Sequence, residues 1–130
     1  MSLFSEELRE KIFDLIDSAG LIQPWVDISR AYPYERWPRF LYKVVSFYGL
    51  DRGIEQFATH LLRQAEYIKK EDQSKVVEKV ESFVKFIKQK AKELGEEKVI
   101  DELRHLARTA LFFGLVYVKN KYPRGSDKGG

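Results

Sequence analysis

The sequence predicts an all-α protein, a compact bundle of five to six helices forming a single domain. Three observations carry that expectation. Apolar residues recur three and four positions apart in nearly every stretch between turn signals. Gly20, Gly49, Gly95 and Pro123 punctuate the chain at intervals that suit helices. No stretch reads convincingly as a strand, and no internal repeat, low-complexity tract or domain linker interrupts the pattern.

The first helix is expected to start at Ser5, a good N-cap, and to bury Leu8, Ile12, Leu15, Ile16 and Ala19 before stopping at Gly20. Glu6 and Glu7 in its first turn complement the helix dipole. Pro24 opens a short second helix through Trp25, Val26 and Ile28, which ends before Pro33. Pro38 takes the first position of a third helix, in which Leu41, Val44, Val45 and Tyr48 recur at helical spacing up to Gly49. A strand over residues 42–47 is the competing reading, disfavoured by the Pro and Gly bracket. Asp51 caps a fourth helix with Ile54, Phe57, Ala58, Leu61, Leu62, Ala65 and Ile68 on its buried side, and Gly53 in its first turn costs it little. After a polar break, Ser74 caps a fifth helix with Val76, Val77, Val80, Phe83, Val84, Ile87, Ala91 and Leu94 as its stripe, closed by Gly95. The sixth and longest runs from Glu96 to Tyr122. Val99, Ile100, Leu103, Leu106, Ala107, Ala110, Gly114 and Val118 form its inner face. The domain is thus expected over residues 1–122, with 123–130 as a flexible tail.

A chain of 130 residues has enough length for one well-buried core, and 44% apolar with 33% charged residues is ordinary globular composition. The net charge of +3 favours an anionic partner only mildly, so the placement of charge matters more than its sum. Cysteine is absent, which removes disulfides, thiolate catalysis and cysteine metal sites, and fits a cytoplasmic location. The N-terminal residues do not read as a signal peptide. No apolar run approaches the ~20 residues that span a bilayer, so no membrane partner is expected. Abundant Lys and Glu with a single Met fit a heat-adapted source.

Signatures of catalysis are missing. The two histidines are His60 and His105. Glu102 and His105 form one Glu-x-x-His, but a di-iron bundle needs that motif twice, and Phe57 stands where His60 would need its acid. Three of the four adjacent acid pairs lie at or near helix starts, where the dipole explains them. No phosphate-binding glycine loop, nucleophile elbow or His-Glu-x-x-His occurs. The Arg-before-His spacing of HEPN-group ribonucleases is also missing, since Arg52 stands too far before His60 and Arg104 is adjacent to His105. A non-enzymatic protein without metal or cofactor is expected.

Basic residues are more informative. Residues 30–49 interleave Tyr32, Tyr34, Trp37, Phe40, Tyr42, Phe47 and Tyr48 with Arg30, Arg36, Arg39 and Lys43. Trp37 and Phe40 bracket Pro38 and read as core. Tyr32, Tyr34 and Tyr42 suit a boundary, because a tyrosine has an apolar body and a polar tip. Arg36, Arg39 and Lys43 fall on neighbouring turns with only Glu35 as a close acid, so these cations would hold phosphates while exposed tyrosines stack on bases; a cation–π surface cluster is the alternative reading. On the last helix, Arg104, Arg108, Leu115, Lys119 and Tyr122 share an arc of roughly 60° beside the apolar face. Ile100 precedes Arg104 and Phe112 follows Arg108 at the four-residue spacing, so a ladder of ion pairs explains that arc poorly. The lysines of the fifth helix alternate with Glu78, Glu81 and Glu93 and read as a solvated face.

The segment from Trp37 to Phe57 resembles a block in the small all-helical subunits of type III CRISPR effector complexes, where a helix of mixed apolar and basic residues ends in Gly-Leu before an amphipathic helix. Leu103 to Tyr122 is similar to the closing helix of the same subunits, apolar and aromatic-rich with basic interruptions. The two blocks cover about a third of the chain. The resemblance implies a non-catalytic subunit of an antiviral ribonucleoprotein that packs against copies of itself and lines the guide–target path with basic residues. Arg39, Lys43 and Arg52 in the first block and Arg104, Arg108 and Lys119 in the second would carry that role, joined by Arg36. The expected partners are RNA or single-stranded DNA and the other effector subunits. The competing expectation is a protein-interaction adaptor, which requires an exposed apolar patch around Trp37 and Phe40.

Overall fold

A computed structural model of the chain describes residues 3–19, 32–68 and 73–121. Five helices occupy them: α1 (Leu3–Ser18), α2 (Tyr32–Tyr48), α3 (Leu50–Ile68), α4 (Gln73–Leu94) and α5 (Glu96–Lys121). No strand occurs among the described residues. The short helix expected at Pro24 and the tail expected after Tyr122 lie outside them.

Helices α2 to α5 form a closed ring in which each packs on the next and α5 returns to α2; α1 lies against α4, α2 and α5. The corners are tight. Gly49 has φ 91° and Gly95 has φ 94°, the left-handed region that glycine enters without steric cost. Each glycine closes one helix and opens the next: the Gly49 N–H donates to the Val45 carbonyl at 2.9 Å, while its own carbonyl accepts from Gly53 at 2.8 Å. Gly95 does the same between Ala91 and Val99. One residue thus separates α2 from α3 and α4 from α5, which forces sharp turns between them.

Several expected boundaries move. Helix α1 begins at Leu3, two residues before Ser5, whose hydroxyl instead donates to the Glu102 carboxylate of α5. Helix α3 begins at Leu50, so Asp51 lies inside the first turn, and α4 begins at Gln73 rather than after Ser74. The largest shift is in α2. It starts at Tyr32, and Pro38, taken from the sequence as a helix start, lies inside it. Proline removes one donor from the ladder and crowds the preceding turn. Burial of Tyr34, Trp37, Leu41 and Val45 on one side of α2 offsets that cost.

The core is continuous. Trp37 is only 3% exposed, with its ring edge-on to Phe40 and Phe57 at centroid distances of 5.8 and 6.0 Å. Phe13, Tyr34 and Tyr117 form a second aromatic trio with centroids 4.9–5.2 Å apart, joining α1, α2 and α5. Tyr34, expected at a boundary, is fully buried, and its hydroxyl donates to the Asp17 carboxylate. Tyr117 donates to the other oxygen of Asp17 at 2.7 Å. One carboxylate at the end of α1 therefore ties together the two helices that matter most below.

Gly53 has a different task from the corner glycines. A Cβ placed there would lie 2.4 Å from the Val45 Cα and 2.8 Å from the Val44 carbonyl oxygen. The close approach of α3 to α2 depends on that missing side chain. The sequence offered no sign of it beyond a glycine in a first turn.

Candidate nucleic-acid interface

Helix α2 packs more extensively on α5 than any other pair in the bundle. The two run antiparallel: Tyr34, near the start of α2, meets Tyr117 late in α5, while Tyr42 meets Arg104 a few turns earlier in α5. Along one edge of this contact lies an open groove of about 1050 Å³. Arg36, Arg39 and Lys43 project into it from α2, and Arg104 and Arg108 from α5. The three α2 cations are spaced three and four residues apart, one face of a helix, and the two α5 arginines are four apart. The floor is apolar, formed by Phe40, Ala107 and Leu111.

The cations differ in how they are held. Arg39 pairs with Glu35 at 2.6 Å and Arg104 with Asp101 at 2.6 Å, both on the surface of their own helix. The second pair corrects the sequence reading: counting only four-residue spacings overlooks an acid three residues before Arg104. Arg36 lies over the Trp37 ring, 5.0 Å from its centroid. Lys43 and Arg108 have no ion pair among the described residues. All five cations are solvent-exposed. Three positive charges in one groove thus lack a carboxylate partner among the described residues, and two more have one at the surface.

Tyr42 links the two walls. A hydrogen bond from the Ser46 hydroxyl, then one from the Arg104 guanidinium, holds the Tyr42 phenol below its ordinary pKa, and the charges of Arg104 and Arg108 add to the shift. The same contact, with help from Asp101, raises the Arg104 pKa above its already high value. Tyr42 therefore lies beside Arg104 where the two walls of the groove meet.

The remaining two basic residues singled out from the sequence lie elsewhere. Arg52, in the first turn of α3, sits over the Tyr48 ring at 5.7 Å, beyond the end of the groove formed by Phe47. Lys119 is exposed on the last turns of α5 and does not line the groove. The arc of α5 predicted to act together is therefore split, with Arg104 and Arg108 facing α2 and Lys119 well past them. The apolar patch expected around Trp37 and Phe40 is likewise not there, because Trp37 is buried and Phe40 half-buried. Apolar exposure falls instead on Phe47, Tyr48 and the residues Leu111, Phe112, Leu115 and Val116 of α5.

Other clusters offer less chemistry. Glu102 is engaged by Ser5 and by Lys98 at 3.3 Å, and no group of three potential metal ligands occurs among the described residues. His60 makes a 3.0 Å contact through Nδ1 with the Gln56 carbonyl, and its ring packs beside Phe40. A smaller recess between α1 and α4 mixes Lys11 and Lys79 with Asp14 and Glu78, and a 2.9 Å Lys79–Asp14 pair spans it. Its charges cancel, unlike those of the α2–α5 groove. No helix among the described residues is long and apolar enough to cross a membrane. No protein-family model, curated protein or solved structure matches the chain.

Proposed function

We propose that the chain is a nucleic-acid-binding subunit, without catalytic function of its own, that holds a phosphodiester backbone in the α2–α5 groove. The observation that carries this reading is the convergence of Arg36, Arg39, Lys43, Arg104 and Arg108 on one open groove, with only two neighbouring acids paired to them. Guanidinium and ammonium groups on a rigid helical frame suit phosphate recognition, and the Arg forks suit it most. The resemblance of residues 37–57 and 103–122 to the small subunits of type III CRISPR effectors supplies a setting: an antiviral ribonucleoprotein in which this groove contacts the guide, the target or a displaced strand. Copies of the chain packing together would extend the groove into a longer track.

Binding to RNA or single-stranded DNA should fall steeply with salt, and Arg104→Glu combined with Arg108→Glu should remove most of it while leaving the helical content intact. Salt-independent binding, or none by either the free chain or an assembled complex, overturns the proposal.

A further inference from the structure

One exposed ring on the groove has no role in the fold. Phe47 is 79% exposed, on a helix whose neighbouring Val44 and Val45 are buried. It lines the end of the groove near the α2–α3 corner, on the same wall as Lys43. Its ring neighbour among the described residues is Tyr48, at 4.8 Å with the planes 88° apart, and most of the Phe47 ring still meets solvent. Beyond Tyr48 comes Arg52. A backbone tracking the cations from Arg36 to Lys43 thus reaches an aromatic platform and then a further cation.

The dimensions agree. Arg36 to Phe47 spans eleven helical steps, about 16 Å at 1.5 Å each. At the ~3.4 Å spacing of phosphates along one stacked strand, this accommodates roughly four or five of them. The groove therefore matches one short strand segment, with the aromatic at its exit.

We propose that Phe47 is a base-stacking platform, so that the groove takes single-stranded nucleic acid with unpaired bases in preference to a duplex. This rests on the phosphate-binding reading of the groove. A paired base keeps its faces inside the duplex and leaves Phe47 in water; an unpaired base covers it. Every base has a π face, so the contact is tolerant of sequence. The energetic role divides cleanly: the cations supply salt-dependent affinity, and Phe47 supplies a salt-insensitive increment that only unpaired bases receive.

The test uses the full chain, with fluorescence anisotropy on three probes of equal length: an oligouridylate, an abasic strand with the same phosphates, and a blunt RNA duplex. Phe47→Ala should weaken oligouridylate binding about five- to hundredfold, the range for loss of one stacked base, and leave the abasic strand and the duplex unchanged. Phe47→Trp should bind the oligouridylate at least as well as the parent chain. Equal losses on the abasic strand and the oligouridylate overturn the proposal, since Phe47 would then merely shape the groove. No loss on any probe, or a change confined to self-association, overturns it in favour of a protein-facing ring. In those cases binding that still disappears with Arg104→Glu and Arg108→Glu leaves the groove reading standing. If neither the parent chain nor an assembled complex binds any of the probes, both readings fall together.

Discussion

Charge reversal on the α5 wall gives the most direct quantitative test of the groove. Single-stranded nucleic acid releases counterions when its phosphates are neutralised, and log K falls against log salt with a slope of about −0.7 per phosphate contact. If all five groove cations engage phosphates, the slope should be about −3.5; if Glu35 and Asp101 keep Arg39 and Arg104, three remain and it should be about −2. Between 50 and 200 mM salt those limits correspond to roughly 130-fold and 20-fold losses of affinity, respectively. Arg104→Glu with Arg108→Glu should make the slope shallower by about 1.4 units in the five-contact limit and about 0.7 in the three-contact limit, with a further loss of affinity from the added negative charge. Both arginines are exposed, and the contacts of Arg104 with Asp101 and Tyr42 lie at the surface, so the thermal midpoint should barely move. Anisotropy titrations at four salt concentrations, with circular dichroism of each variant, measure every term. A slope near zero in the parent chain, or an unchanged slope in the double variant, refutes the reasoning.

Three further predictions concern the frame around the groove. Gly53→Ala gains up to about 1 kcal/mol of helix propensity but forces a methyl against the Val45 backbone at 2.4 Å, which cannot rotate away. The clash should win, giving a net loss of about 1–3 kcal/mol by urea unfolding, and an unchanged or raised midpoint would refute the packing argument. Tyr34→Phe deletes a buried hydroxyl that donates to the Asp17 carboxylate and should cost about 1.5–3 kcal/mol in the same assay, whereas a loss within experimental error would deny the Asp17 tie any energetic role. The Tyr42 phenol should ionise below the ordinary 10.0, read at 295 nm as the difference between the parent chain and Tyr42→Phe. Ser46→Ala should move that titration back upward the most, and Arg104→Gln should move it upward as well. Because the folded state favours the phenolate, the associated stability is fully present above the unfolded pKa near 10 and is lost as pH falls through the lower folded value. It is therefore absent at neutral pH, and Ser46→Ala should leave stability there unchanged through this route.

Helical periodicity made the architecture legible, because each stripe of apolar residues had to find a neighbour. Val76, Val80, Phe83 and Ile87 on α4, and Val99, Leu103, Leu106 and Ala110 on α5, are buried as their spacing required. Val77 and Leu94, assigned to the same stripe, are more than a third exposed because they lie at its edge and end. What periodicity could not show was pairing. Whether Arg36, Arg39 and Lys43 face Arg104 and Arg108 depends on two single-residue corners that set which helices become neighbours. It also depends on the Phe13–Tyr34–Tyr117 trio that fixes the register between α2 and α5. Pro38 misled for a related reason: its local cost is real, yet the burial of Trp37 and Leu41 on either side overrides it.

The position of the basic arc beside the α5 core face, rather than opposite it, is the feature with the most consequence. A cation opposite a core face projects into bulk solvent, where it is screened and free to take many rotamers. A cation at the margin of a helix–helix contact has one side against protein, and a cation on the facing margin of the partner helix lies within reach of the same ligand. Arg36, resting on Trp37, is oriented in this way by a group belonging to the core, and Arg104 has Tyr42 and Asp101 beside it. Less rotamer freedom remains to be lost when a phosphate arrives, which lowers the entropic cost of each contact. On this argument the aromatic residues of α2 do two jobs at once. Trp37 holds the bundle edge in shape and lies under Arg36, while Phe47, which holds nothing, is left facing the place where a base would lie.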